Sequence, residues 1–104
     1  MAMVKMKQNR LTAQSLAVRY FLEGGMYVAH CGVLDMSSCG RTLAEARANI
    51  REAIGLFFEE CIARGTLEAA LLACGWERTR GRGGVRLRPP SLVREENVPL
   101  PVAV

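Results

Sequence analysis

The chain has 104 residues, of which half are hydrophobic, and a formal net charge of +4. This length corresponds to one domain, and the apolar content excludes a chain that is disordered throughout. No uncharged apolar run reaches the ~18 residues of a membrane helix, and the basic N-terminus lacks the apolar stretch of a signal peptide. We therefore expect a cytoplasmic protein without a membrane partner.

The charge is distributed unevenly along the chain. Residues 1–77 hold eight basic and eight acidic side chains, whereas residues 78–104 hold six arginines and two glutamates. Only the second part is able to attract a polyanion. The sequence thus predicts a flexible leader over residues 1–11, a folded domain over 12–77 and an Arg/Pro-rich segment over 78–104.

The cysteines do not have the spacing of a metal site. The candidates are four scattered thiols and one imidazole, namely Cys31, Cys39, Cys61, Cys74 and His30. No two cysteines form the closely spaced pair that zinc sites use. We expect reduced thiols that pack as small apolar side chains, with no metal and no cofactor.

Apolar alternation and glycines predict three strands. Residues 12–23 alternate, with one face formed by Leu16, Val18, Tyr20 and Leu22 and the other by Ala17, Arg19, Phe21 and Glu23. The two glycines at 24 and 25 are typical of a tight hairpin turn, and residues 26–31 form the returning strand. A short third strand is predicted over residues 34–39, ending at Gly40.

Two helices follow. Thr42 and Glu45 form a capping box, and Gly65 suits the left-handed residue that ends a helix. Between them apolar residues recur at steps of three and four, in the set Leu43, Ala46, Ile50, Ala53, Ile54, Phe57, Phe58 and Cys61. A shorter helix runs from Thr66 to Gly75, and Trp76 is expected to pack back on the core.

The C-terminal segment is arginine-rich and then proline-rich. Five arginines share parity, namely Arg78, Arg80, Arg82, Arg86 and Arg88, so in an extended chain they project to one side and can contact nucleic acid. The alternative is a solvated edge or linker whose charge prevents unwanted pairing. Residues 92–103 regain apolar alternation, and Pro99 and Pro101 limit any strand there to a sheet edge.

An ordered set of residues resembles the HicB-like antitoxin family. It comprises Gly25, Tyr27-Val28-Ala29, Cys31, Leu34-Asp35, Ser38, Gly40, Thr42-Leu43, Glu45-Ala46, Asn49, Glu52-Ala53-Ile54 and Glu59-Glu60, followed by Gly65-Thr66-Leu67-Glu68 and Gly75-Trp76-Glu77. The resemblance implies an α+β fold described as partial ribonuclease-H-like. This fold is a small two-layer α/β sandwich, with a three-stranded antiparallel sheet, a long helix across one face and a C-terminal edge strand.

The resemblance also implies a function. HicB-like antitoxins belong to type II toxin–antitoxin systems and neutralise a small RNA-cleaving toxin of the HicA type by occluding it. Full-length members append an operator-binding module, whereas the residues after Glu77 contain four prolines and no amphipathic helix. The expectation is therefore a small stand-alone member without autorepression.

Catalysis is not expected. A two-metal nuclease needs a carboxylate cluster, and the chain has one aspartate, Asp35, which is interpreted as a turn residue. His30 and Cys31 are neighbours on a strand, so their side chains point to opposite faces and cannot form a base–nucleophile pair.

The sheet face away from the long helix is the predicted protein interface. We expect it to present Ala17, Phe21 and Tyr27 and to be covered by the C-terminal strand, by a second copy or by a partner, with a dimer or a dimer of dimers favoured. The sequence therefore favours a non-catalytic protein-binding module of antitoxin type. The alternatives are a nucleic-acid-associated protein that uses residues 78–88 and an orphan homo-oligomeric domain of unknown ligand.

Overall fold

The computed structural model describes residues 11–13 and 15–102. Its elements are β1 (Arg19–Glu23), β2 (Met26–Cys31), β3 (Met36–Gly40), α1 (Leu43–Arg64), α2 (Leu67–Ala73), β4 (Glu77–Gly81) and β5 (Gly84–Arg88). The predicted leader lies outside the described residues except for Leu11. No helix in the described ranges is long and apolar enough to cross a membrane.

The first three strands form one antiparallel sheet in the order β1-β2-β3. Gly24 and Gly25 connect β1 to β2 with φ of 57° and 82°, the positive values that a primed two-residue turn requires. The hairpin prediction is confirmed. β1 is shorter than predicted, because residues 12–13 and 15–18 are not part of a strand.

The connection from β2 to β3 uses a single 3-10 turn over Gly32–Leu34. Asp35 follows it in the left-handed region at φ 50°, and its amide donates to the carbonyl of Gly32. Asp35 is thus a turn residue, as expected. Because the turn includes Leu34, β3 begins at Met36, two residues later than predicted.

Helix α1 begins and ends where its caps predict. The Glu45 amide donates to the Thr42 hydroxyl at 3.0 Å, and the Glu45 carboxylate accepts from the amide of Arg41. At the other end Gly65 has φ 70°, and its amide donates to the carbonyl of Ile62 while that of Thr66 donates to Cys61, which satisfies the last carbonyls.

The core lies between α1 and the sheet and continues under α2. One buried cluster joins Ala29, Ala46 and Ile50, and a second joins Cys31, Leu34, Leu71, Trp76 and Leu87. Ile54 and Val18 are half-buried and pack against both clusters. Trp76 is 2% exposed and its indole nitrogen donates to the carbonyl of Val33 at 2.7 Å, so it packs on the core as predicted.

The C-terminal region differs most from the prediction. β4 and β5 form a separate two-stranded antiparallel sheet, and Leu87 on β5 is buried in the same cluster as Trp76. The amide of Thr12 also donates to the carbonyl of Leu87 at 3.0 Å. Packing therefore extends past Glu77 to the end of β5.

The C-terminal edge strand predicted over 92–103 does not form in its described part. Residues 89–102 contain no strand, because four prolines lack the amides that a ladder needs. The architecture is a small α+β protein with a three-stranded antiparallel sheet, one long helix and a second, two-stranded sheet.

Candidate interaction surfaces

Strand β1 is an exposed, apolar edge of the main sheet. All five of its residues are exposed, and Tyr20, Phe21 and Leu22 retain 38%, 49% and 68% of their accessible surface. Helix α1 lies over β3 and β2 and leaves β1 largely uncovered. Apolar side chains on a strand whose outer edge is open make a docking surface.

The register of the hairpin separates the two faces of β1. Phe21 pairs with Val28, whereas Leu22 pairs with Tyr27, so Phe21 and Tyr27 lie on opposite faces. Tyr27 packs against the cluster around Ala46 under α1. The prediction that Tyr27 belongs to the outer face was wrong, because a two-residue turn carries the alternation across the hairpin.

The remaining predicted interface residues are accessible. Ala17 is exposed two residues before β1, and Phe21 is half exposed on the sheet face that α1 does not cover. Tyr20 and Leu22, on the helix side of β1, were not predicted as surface residues. They are exposed because α1 lies over β3 and β2 and not over β1. The position of α1 across the sheet cannot be predicted from the residue pattern of β1.

The opposite edge of the sheet is partly occupied. Asn49 on α1 donates its side-chain amide to the carbonyl of Cys39 on β3 at 2.8 Å. That bond uses a backbone acceptor that a further strand would need. β1 is therefore the more open of the two edges.

A second apolar surface lies on residues 89–102, here called the C-terminal tail. Its large apolar side chains are 65–93% exposed, namely Leu92, Val93, Val98, Leu100 and Val102. Four of them occupy even-numbered positions and therefore project to one side of an extended chain, namely Leu92, Val98, Leu100 and Val102. The tail meets β1 through an ion pair between Arg19 and Glu95, whose Nη2–Oε1 distance is 2.8 Å.

The arginines of residues 78–88 do not form one row. The hairpin turn at residues 82–83 reverses the chain, so Arg78 faces Leu87 and Arg86 faces Thr79 across the ladder. Arg78 and Arg80 consequently project from one face of the hairpin, and Arg86 and Arg88 from the other. The predicted single row was based on an uninterrupted extended segment.

The two arginines at the base of this hairpin form ion pairs. Arg78 bonds Glu68 of α2 at 2.7 Å, and Arg88 bonds Glu77 at 3.2 Å. Within the described part of the chain, Arg80, Arg82 and Arg86 form no such pair. The arginines without an ion pair thus lie nearer the turn than Arg78 and Arg88, with Arg80 and Arg86 on opposite faces.

The imidazole of His30 is paired with Ser37 on β3 and not with Cys31, its neighbour on β2. His30 Nδ1 lies 2.8 Å from the Ser37 hydroxyl on the uncovered face, while Cys31 is buried on the opposite side, so His30 and Cys31 do not meet. Burial raises the pKa of the Cys31 thiol. Among the described residues no three His, Cys, Asp or Glu side chains gather as a metal site.

No protein-family model, curated protein or solved structure matches the chain.

Proposed function

We propose that this chain is a non-catalytic protein-binding module. The observation that carries the proposal is the location of its exposed large apolar side chains, five of which lie on the C-terminal tail and three on β1. An extended, proline-rich segment exposes its backbone and side chains together, which suits it to lie along a partner. The tail is therefore the proposed binding segment.

The partner proposed from the resemblance is a small RNA-cleaving toxin of the HicA type. The order of three antiparallel strands and a long helix is the order that the HicB-like resemblance implies, and we propose that the fold is partial ribonuclease-H-like on that ground. In this proposal the tail and the folded domain cover the toxin's RNA-binding face. Occlusion needs shape and apolar area and no reactive group on this chain.

The experiment is a growth assay with the HicA-sized reading frame that the proposal predicts beside the gene of this chain. Induction of that frame alone should arrest growth, and co-expression of the full chain should restore it. Two tail variants, Val98→Asp and Leu100→Asp, should restore growth poorly, because each places a charge in the apolar contact.

A matched control is Leu56→Asp, which changes a 53% exposed leucine on α1, outside the tail. It should restore growth as the unchanged chain does. Growth restored equally by all three variants would exclude the tail as the binding segment. A non-toxic adjacent product, or the lack of such a frame, would contradict the antitoxin proposal.

A second candidate function, nucleic-acid binding, is favoured by the arginine-rich hairpin tip. Arg80, Arg82 and Arg86 are exposed on the turn and on the two strands beside it, with Arg80 and Arg86 on opposite faces of the hairpin. Three phosphate contacts to a single strand predict a slope of about −2 for log affinity against log salt. Backbone phosphate contact of this kind carries no sequence preference.

Fluorescence anisotropy of a labelled 20-nucleotide RNA measures this candidate function directly. The triple variant with alanine at positions 80, 82 and 86 should lose binding and most of the salt dependence. A control with alanine at Arg41, Arg47 and Arg51, which are exposed away from the hairpin, removes the same charge. Equal losses in the two triple variants would mean that only net charge matters and would exclude a site at the tip.

A further inference from the structure

The sequence of β1 is self-complementary in an antiparallel pairing. Its five residues are Arg19-Tyr20-Phe21-Leu22-Glu23. If two copies pair about a twofold axis through Phe21, Arg19 of each copy lies opposite Glu23 of the other. Tyr20 then lies opposite Leu22, and Phe21 lies opposite itself.

The hydrogen-bonding pattern of the hairpin permits this register. A two-residue turn closes on a hydrogen-bonded pair, here Glu23 and Met26, and bonded pairs alternate along the strands from there. The amides and carbonyls of Tyr20 and Leu22 consequently point away from β2, to the open edge. In a pairing centred on Phe21 these are the groups that meet across the twofold axis.

The side chains are equally well matched. On the uncovered face the pairing joins two opposite-charge pairs and one aromatic pair, which stabilise neighbouring antiparallel strands. On the helix side it covers Tyr20 and Leu22, which α1 leaves exposed. A twofold axis through Tyr20 or Leu22 would place neither charge opposite its complement.

We propose that β1 is a homodimer edge, at which two copies join their sheets into one antiparallel sheet of six strands. The second copy is chosen over the chain's own tail because the tail leaves Leu22 68% exposed and Phe21 49% exposed while its Glu95 bonds Arg19. The proposal does not depend on the toxin, because the tail remains free to bind a partner.

The small size of the edge sets the strength of the dimer. Five residues from each copy bury less than the about 1,200 Å² of a stable specific interface. The dimer should therefore exchange with monomer in the micromolar range. Sedimentation equilibrium of the full chain over 1–200 micromolar, a range set by this expectation, should show the mean mass rising from 11.4 kDa towards twice that value.

Charge reversal tests the register. Arg19→Glu or Glu23→Arg alone converts both attractive pairs of the dimer into repulsive ones, and each should weaken dimerisation about tenfold or more. The double variant Arg19→Glu/Glu23→Arg restores both pairs across the axis and should recover the original dissociation constant. It does not restore the pair with Glu95, so recovery cannot come from the tail.

Two further variants separate β1 from other surfaces. Phe21→Lys places two like charges at the twofold axis and should give a monomer with unchanged circular dichroism. Its unfolding midpoint should equal that of the unchanged chain at concentrations below the dissociation constant of the dimer. Leu100→Asp on the tail should leave the dimer intact. A constant monomer mass, a dimer lost in Leu100→Asp, or a double variant as weak as the single ones would overturn the proposal.

Discussion

A methyl group added to Gly40 would lie 2.5 Å from the backbone nitrogen of Ala46, at the point where α1 crosses the end of β3. The neighbouring atoms are backbone atoms of Ala46 and Glu45 and the Cβ of Glu45, none of which can rotate away as the end of a side chain can. Gly40→Ala should therefore force α1 from the sheet and destabilise the fold by about 1–3 kcal/mol or more, measured by urea unfolding.

Gly55 supplies the control for that substitution. It lies within α1, and an added methyl group would meet nothing within 4 Å. Gly55→Ala should stabilise the protein by about 0.5–1 kcal/mol, because alanine is the better helix former. An unchanged stability in Gly40→Ala would mean that the helix does not approach β3 so closely, and a loss in Gly55→Ala would mean that the space around Gly55 is not open.

Replacing a side chain of the apolar stripe of α1 by alanine should lower the free energy of unfolding more, the more deeply that side chain is buried. Ile50 is 1% exposed, and Ile54 is half-buried but packs against both core clusters. Ile50→Ala should cost about 2–5 kcal/mol, and Ile54→Ala a loss towards the lower end of that range. Arg51→Ala, on the exposed side of the same turn, should stay within about 0.5 kcal/mol. Equal losses in all three urea melts would place the stripe on the wrong side of the helix.

The thiols should differ widely in reactivity with a thiol-specific chromogenic reagent. Cys39 is exposed on β3, whereas Cys31 is fully buried with a raised pKa. Cys39 should be modified first in the native state, and Cys31 only as the protein unfolds. Mass spectrometry of the labelled peptides identifies which cysteine reacts first. Early labelling of Cys31 would contradict its place in the core.

The raised pKa of Cys31 also makes the free energy of unfolding depend on pH. Between the unfolded pKa of about 8.5 and the higher folded value, the unfolded chain releases a proton that the folded chain keeps. Cys31 should therefore make no contribution to pH dependence below that range and lower the stability as pH rises through it. The difference between the unchanged chain and Cys31→Ala, measured from pH 7 to 10, isolates this contribution, and a difference independent of pH would contradict it.

Local sequence signals were sufficient for the elements that begin and end at special residues. Gly24 and Gly25, Thr42 and Gly65 each impose a backbone geometry that few other residues adopt, so the first hairpin and α1 lie where they were predicted. The faces of β1 also follow from alternation alone. These are features that a chain specifies within a few residues.

The C-terminal hairpin could not be predicted from such signals. Its strands contain only Val85 and Leu87 as large apolar residues, and its turn at Arg82 and Gly83 resembles the rest of a flexible arginine–glycine segment. What orders it is non-local, since Leu87 is buried in the same cluster as residues far away in sequence, including Leu34 and Leu71. The pairing of Arg78 with Glu68 likewise depends on the packed position of α2.

The proposal that this chain neutralises a toxin by binding it is tested most directly by RNA cleavage, in a reaction that contains a labelled RNA and the HicA-type product that the proposal predicts from an adjacent gene. Titration of the purified full chain into the cleavage reaction should abolish cleavage at a stoichiometric amount. Val98→Asp should require a large excess, whereas Leu56→Asp should behave as the unchanged chain does. Cleavage that continues undiminished at a tenfold excess of the unchanged chain would contradict the account.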